Sequence, residues 1–377
     1  MRIGFDAKRA VFNRTGLGNY SRYVIDILAT KFLSDEFILY SPKQNAIGFI
    51  DKLVGMKNVS LHTPDTYLGR NLRSLWRSKS VVSQLKRNKI ELFHGLSNEL
   101  PIGINRSGIK SVVTIHDLIF LCHPAFYKPI DRFIYNLKFR YACRVADKII
   151  AVSECTKRDI VRFYGTDESK IEVVYQGCDP VFSKLVEENQ KEIIKKKYDL
   201  PTEFILCVGS IEERKNLLIA VKALLYCQSN ISLVAVGKRT AYASEIVNFI
   251  EQNNLQDRVK LIHNVSFADL PAVYQLASLF VYPSLYEGFG IPIIEAIHAG
   301  LPVIGATGSC LEEAGGPDSI YVNPNDEIEL AYAYDRILSE PNLRTQMVAS
   351  GKEYVKKFDE KTQANEIHQI YESLLDS

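Results

Sequence analysis

Short apolar runs alternate with segments of helical period along the whole chain, and this alternation limits the possible folds more than any one motif. In the first half, strands are predicted near residues 2–6, 37–41, 59–62, 91–95, 111–115, 148–152 and 171–175. In the second half they are predicted near 204–209, 231–236, 259–262, 279–282, 302–305 and 320–322. Helices are predicted near 17–30, 72–88, 130–145 and 154–164, then near 215–227, 241–253, 269–276, 291–299, 326–339 and 342–357. Tyr20, Tyr23, Val24, Ile27 and Leu28 form one such stripe of 3.6-residue period. Strands that alternate with helices imply parallel sheets covered on both faces. Two such series in 377 residues imply two doubly wound α/β domains. The boundary is expected at about 178–200, where Gly177-Cys-Asp-Pro180 closes one series and a polar helix, Glu187 to Tyr198, precedes the next. The expected division is 1–180, 181–358 and a further helix in 359–377.

Charge separates the same halves. Residues 1–180 hold 28 Lys and Arg against 17 Asp and Glu, and residues 181–377 hold 18 against 27. The basic half points to an anionic partner, such as a membrane surface or a lipid-linked phosphate. Nucleic acid is not expected, because no binding motif or basic tail is present. The basic stretches 70–89, around Trp76, and 128–148 are the candidate membrane surfaces, with the apolar positions of the first facing either lipid or core. Seven cysteines, none in a Cys-x-x-Cys pair, give a reduced, cytosolic pattern. Asp6 and the short apolar run around it do not make a signal peptide, and no run approaches the ~18–20 apolar residues of a membrane span. A cytoplasmic protein is expected, peripheral at most on the inner face of a membrane.

Residues 284–295 read Ser-Leu-Tyr-Glu-Gly-Phe-Gly-Ile-Pro-Ile-Ile-Glu. They follow an apolar strand and open a helix, so the glycines fall on a strand-to-helix turn. Bare backbone at a helix N-terminus suits an anion. Glu287 and Glu295 flank that turn, and two acceptors beside a phosphate cradle suit a nucleotide sugar. Other candidates also follow strands: Gly16 and Gly18, His94, His116 and Asp117, Arg214 and Lys215, and Lys238 and Arg239. Position 21 is Ser, so Gly16-Leu-Gly18 lacks the third glycine of a dinucleotide fingerprint, which weighs against an NAD-dependent oxidoreductase.

On these residues the chain resembles the retaining glycosyltransferases of family 4, the group 1 family with the GT-B fold. Glu287 to Glu295 is similar to the family's Glu-x7-Glu motif. Gly16-Leu-Gly18, Thr114-Ile-His-Asp117, Val208 to Asn216, Ala299 to Ile304 and Glu313 to Gly316 follow the family's order over nearly the whole chain. The resemblance implies two Rossmann-like domains facing each other across a cleft, 1–180 on the acceptor side and 181–358 on the nucleotide-sugar side, with the C-terminal helix in 359–377 crossing back to the first domain. It implies a donor diphosphate held by Arg214 and Lys215, with Gly16, Gly18, Gly290 and Ile291, and without a metal or other cofactor. It assigns Glu295 to the ribose, and Glu287, Phe289 and Gly290 to the donor sugar; Lys238 and Arg239, after Val-Ala-Val-Gly237, are placed to line the base pocket or the phosphate. Glu287, His116 and Asp117 are the implied catalytic group. The implied reaction moves a hexose, best read as mannose from GDP-mannose with a UDP-sugar as the other donor, to a glycan or lipid-linked acceptor in polysaccharide assembly. A sugar-nucleotide epimerase of the same fold and a non-catalytic nucleotide-sugar-binding protein are the alternatives.

Overall fold

The computed structural model describes residues 1–13, 15–43 and 48–376. It divides into two compact units, Met1–Gln176 with Asp359–Ser377, and Gly177–Phe358. The division falls slightly before residue 180, and the last helix belongs with the first unit.

The first unit holds strands β1 (Arg2–Asp6), β2 (Glu36–Tyr40), β3 (Val59–His62), β4 (Leu92–Gly95), β5 (Lys110–Ile115), β6 (Lys148–Ala151) and β7 (Ile171–Val173). All are parallel, in the order β3-β2-β1-β4-β5-β6-β7. Successive strand residues face opposite sides. Phe37 and Leu39 therefore join one core with Val24, Leu28 and Ile367, while Ile38 and Tyr40 join the other with Leu85, Phe93 and Ile149. The second unit holds β8 (Phe204–Val208), β9 (Ser232–Val236), β10 (Val259–Ile262), β11 (Leu279–Tyr282), β12 (Val303–Ala306) and β13 (Ile320–Val322). These are also parallel, in the order β10-β9-β8-β11-β12-β13. Strand order reverses between β1 and β4 in one sheet and between β8 and β11 in the other. In open α/β sheets, ligands bind beyond the carboxyl ends of strands at such switch points.

Two local readings change. The segment expected as one helix over 72–88 is Arg73–Leu75, a π turn at Trp76–Ser80 and a helix at Val81–Arg87. A π turn takes an extra residue and slips the apolar stripe, so Trp76 is buried while Leu72 and Leu75 face solvent. Helices at Lys8–Phe12, Asp51–Val54, Ile119–Cys122 and Leu311–Gly315 escaped prediction because one turn is too short to show a 3.6-residue period.

The helix Glu360–Leu375 buries Ala364, Ile367, Tyr371 and Leu374 against the first unit's core. Its register is tied by a buried polar chain. Tyr371 Oη lies 2.6 Å from His94 Nδ1, His94 Nε2 lies 2.9 Å from Thr114 Oγ1, and Thr114 Oγ1 lies 3.1 Å from Tyr20 Oη. Burial, then nearby His116, holds the His94 pKa down at about 3, so the ring is neutral. His94 is thus a core residue. Tyr371→Phe strips a partner from a buried nitrogen and is expected to destabilise the protein by about 1–3 kcal/mol in urea denaturation.

Candidate active site

The site in the second unit grows from its switch point. After β8 the chain turns through Glu213–Lys215, and after β11 it runs through 283–290 into the helix Ile291–His298. These two loops are stitched together. Leu285 N donates to Arg214 O at 2.9 Å, and Asn216 Nδ2 donates to Pro283 O at 3.1 Å and Pro324 O at 2.7 Å. Asn216 holds φ 55°, a left-handed conformation that asparagine tolerates better than most residues.

Glu287 lies at the centre and is 9% exposed. Lys215 Nζ reaches its Oε1 at 2.6 Å, Arg214 Nη1 at 2.8 Å, Ser284 Oγ at 2.5 Å and Tyr282 Oη at 3.3 Å. All four donors meet on one oxygen. Burial alone would raise this carboxyl's pKa, but Lys215 and then Arg214 overcome it and hold it at about 2. Arg214 also donates to Tyr286 O at 2.7 Å.

Gly290 caps the following helix at φ 121°, where a Cβ would lie 3.1 Å from Leu311 and 3.3 Å from Ala314. Ile291 and Pro292 then open the helix with free N-terminal backbone geometry. Phe289 turns its ring inward against Phe358, at a centroid distance of 5.3 Å, and its carbonyl accepts from Cys310 Sγ at 2.8 Å, so its side chain serves the core. Glu295 Oε2 accepts from Tyr274 Oη at 2.8 Å. Burial, opposed by that bond and aided by Asp179, lifts the Glu295 pKa to about 7. The two acids are therefore driven in opposite directions, a pattern that marks functional carboxyl pairs. Lys238 is exposed at the end of β9, and its carbonyl accepts from Ile211 N at 3.0 Å.

The remaining candidates belong to the first unit. His116 is buried at the end of β5, with Nε2 2.9 Å from Leu96 O and Nδ1 3.1 Å from Gln176 Nε2. A carbonyl can only accept, so Nε2 carries the proton and Nδ1 accepts from Gln176. Burial holds the pKa down at about 4. The imidazole is neutral and offers a ligand its ring surface rather than a free nitrogen. Asp117 Oδ1 accepts from Ile119 N at 3.2 Å and shapes the turn that follows. Gly18 admits a close approach, since a Cβ there would lie 2.0 Å from Asn13 O, whereas among the described residues no atom lies within 4 Å of a Cβ at Gly16. Tyr274, Tyr282, Ser284 and Asn216 were not singled out from sequence. Ser284 and Tyr282 lie inside or beside the motif, so a search for donors to a buried Glu287 would have found them.

The fold is that of a GT-B glycosyltransferase. Residues 188–354 match the family described as "Glycosyl transferases group 1", and residues 48–182 match "Glycosyltransferase Family 4". The O-antigen chain mannosyltransferase RfbU of Salmonella typhimurium is 30% identical over 358 residues, covering 92% of this chain and 93% of the relative. The O-antigen chain mannosyltransferase B of Escherichia coli is 27% identical over 379 residues, covering 95% and 96%. Among solved structures, Anabaena HepE in complex with UDP is 18% identical with a TM-score of 0.77, over 99% of this chain and 100% of that one. Sucrose-phosphate synthase from Thermosynechococcus elongatus is 20% identical with a TM-score of 0.77, over 100% and 99%. At those identities the structural likeness bears on the fold alone. The chain belongs to the group 1, family 4 glycosyltransferases, and the epimerase and binding-protein alternatives are not favoured.

Two measurements check the site's electrostatics. Carbon-13 NMR of the side-chain carboxyls is expected to show one group titrating near pH 7 that vanishes in Glu295→Gln. Because that pKa is raised on folding, Glu295 favours the folded state at low pH and loses this contribution as pH rises through about 7. Lys215→Met is expected to destabilise the protein by about 3 kcal/mol in urea denaturation. Adding Glu287→Gln is expected to recover much of that loss in a double-mutant cycle.

Proposed function

We propose that the protein transfers mannose from GDP-mannose, with retention of configuration and without a metal ion, to a lipid-linked or growing glycan in polysaccharide assembly. The observation that carries this reading is the clustering of Arg214, Lys215 and Ser284 on Oε1 of Glu287, which leaves Oε2 for a sugar hydroxyl. In this reading the two cations stabilise the departing diphosphate, a role a metal would otherwise fill. The backbone N–H groups that open the helix at Gly290 and Ile291 add to that charge. Glu295, oriented by Tyr274, accepts from the ribose, and Lys238 approaches the base or phosphate. Gly16 and Gly18 are the first unit's proposed contribution to the diphosphate. His116, neutral and with both nitrogens engaged, lines the reacting sugar, with Asp117 beside it.

Mannose is supported by the relatives, which are named as O-antigen mannosyltransferases. The HepE structures hold UDP or UDP-glucose, which keeps a UDP-sugar as the other donor. Peripheral contact with an anionic, cytoplasmic-side membrane is part of the proposal. On the helix Pro129–Val145, Ile130, Phe133, Ile134 and Leu137 are exposed at helical spacing, beside Lys138, Arg140 and Arg144. Among the described residues no helix is long and apolar enough to cross a membrane.

Calorimetry and turnover test this reading. GDP-mannose is expected to bind more tightly than UDP-glucose, and EDTA is expected to leave nucleotide release unchanged. Lys215→Ala and Glu295→Ala are each expected to weaken donor binding about tenfold, ~1.4 kcal/mol. Glu287→Ala is expected to lower turnover about a hundredfold. Wild-type donor affinity in the first two variants would remove the assignment. Proton NMR of the product reports whether the anomeric configuration is kept.

A further inference from the structure

Cys310 follows β12 and lies wholly buried beside the turn that carries Glu287. Its Sγ stands 2.8 Å from Phe289 O and 3.1 Å from Glu287 O. A thiol carries one proton, so the two carbonyls share it. The support behind Cys310 is firm. It opens the short helix Leu311–Gly315, where Tyr354 Oη donates to Glu313 O at 2.8 Å. Tyr321 Oη donates to Gly316 O at 2.7 Å just beyond that helix. The same helix sets Leu311 and Ala314 against Gly290.

Peptide geometry turns this contact into a direction. In a trans peptide, the C=O of one residue and the N–H of the next point opposite ways, and among the described residues no peptide bond is cis. Glu287 O and Phe289 O both point at Sγ, so the N–H groups of Gly288 and Gly290 both point away from it. Gly290 is buried, and among the described residues nothing accepts from its N–H. Buried backbone N–H groups are nearly always paired, so this one calls for an acceptor from outside the chain. It adjoins the first residue of the helix Ile291–His298, whose amino end favours an anion.

We infer that Cys310 is a positioning residue of the donor site. Its thiol clasps the peptides 287–288 and 289–290 and so aims the Gly288 and Gly290 N–H groups together at one phosphate. Both glycines stand next to Glu287, the acid read as the sugar's contact, so the phosphate is the one that bears the sugar. The inference rests on the donor reading for the identity of that anion. Cys310 itself touches no substrate and acts through the backbone of the turn.

Two measurements test this. In infrared spectra, the S–H stretching band lost in Cys310→Ser is expected on the low-frequency, hydrogen-bonded side of the thiol region. Calorimetry of GDP against GMP, with UDP against UMP alongside, isolates the terminal phosphate. The diphosphate-to-monophosphate affinity ratio is expected to fall about tenfold in Cys310→Ala and to return to within about threefold of wild type in Cys310→Ser, whose hydroxyl can still donate. Cys143→Ala removes an equally buried thiol from the first unit and is expected to keep the wild-type ratio. A band at the frequency of an unbonded thiol, an unchanged ratio in Cys310→Ala, or a ratio in Cys310→Ser no better than in Cys310→Ala would overturn the proposal. Binding of neither GDP nor UDP by the wild-type protein would instead overturn the donor reading, with the S–H band still deciding the clasp.

Discussion

Taking the Glu287 carboxylate out of water costs several kcal/mol, and four donors on one oxygen offset that cost. Lys215 and Arg214 come from the loop after β8, while Glu287 and Ser284 come from the loop after β11. The ion cluster therefore does more than set a protonation state. It fastens two loops at the switch point of the second sheet, so the helix beginning at Ile291 starts from a fixed place. The Asn216 bridges to Pro283 and Pro324 brace the same junction. Without the carboxylate, two cations would face each other unshielded. Without the cations, burial would raise the pKa of this acid and favour its protonated form, a weaker acceptor for a hydroxyl.

Both sheets place charge where their strand order reverses, but with different balance. In the second unit a single acid holds two cations. In the first, Asp6 and Glu99 hold Arg77, and three further cations, Lys8, Lys43 and Arg73, line a neighbouring cavity. The excess of Lys and Arg in the first half of the chain is thus partly concentrated around one apolar hollow and partly spread along the helix Pro129–Val145. Trp76 connects these features, since the π turn that buries it also leaves Leu75 at the cavity rim.

Much of the architecture was readable in advance because parallel sheets write a strong local signal. A strand buried on both faces is a short apolar run, and the described strands, including the half-exposed β3, β7 and β10, keep enough of that form to be placed within a residue or two. The motif at 284–295 was readable for a similar reason, since a glycine-rich turn between a strand and a helix has its own composition. Elements of a single turn, such as Lys8–Phe12, carry no such period. His94 and His116 both stand at strand ends and look alike in sequence. One is locked by Tyr371, 277 residues away, and the other by Leu96 and Gln176.

The sequence by itself determined the class of fold, the two series of strands, the family, and which loops carry the acids and cations. These follow from local period and composition, which neighbouring residues settle among themselves. Only the tertiary structure decided that Glu287 stays ionised while Glu295 is pushed towards neutrality, that His116 has both nitrogens engaged, and that Tyr371 of the final helix meets His94. Those outcomes depend on burial and on partners far apart in the chain. Desolvation and Coulomb terms act through space, so no local pattern encodes them.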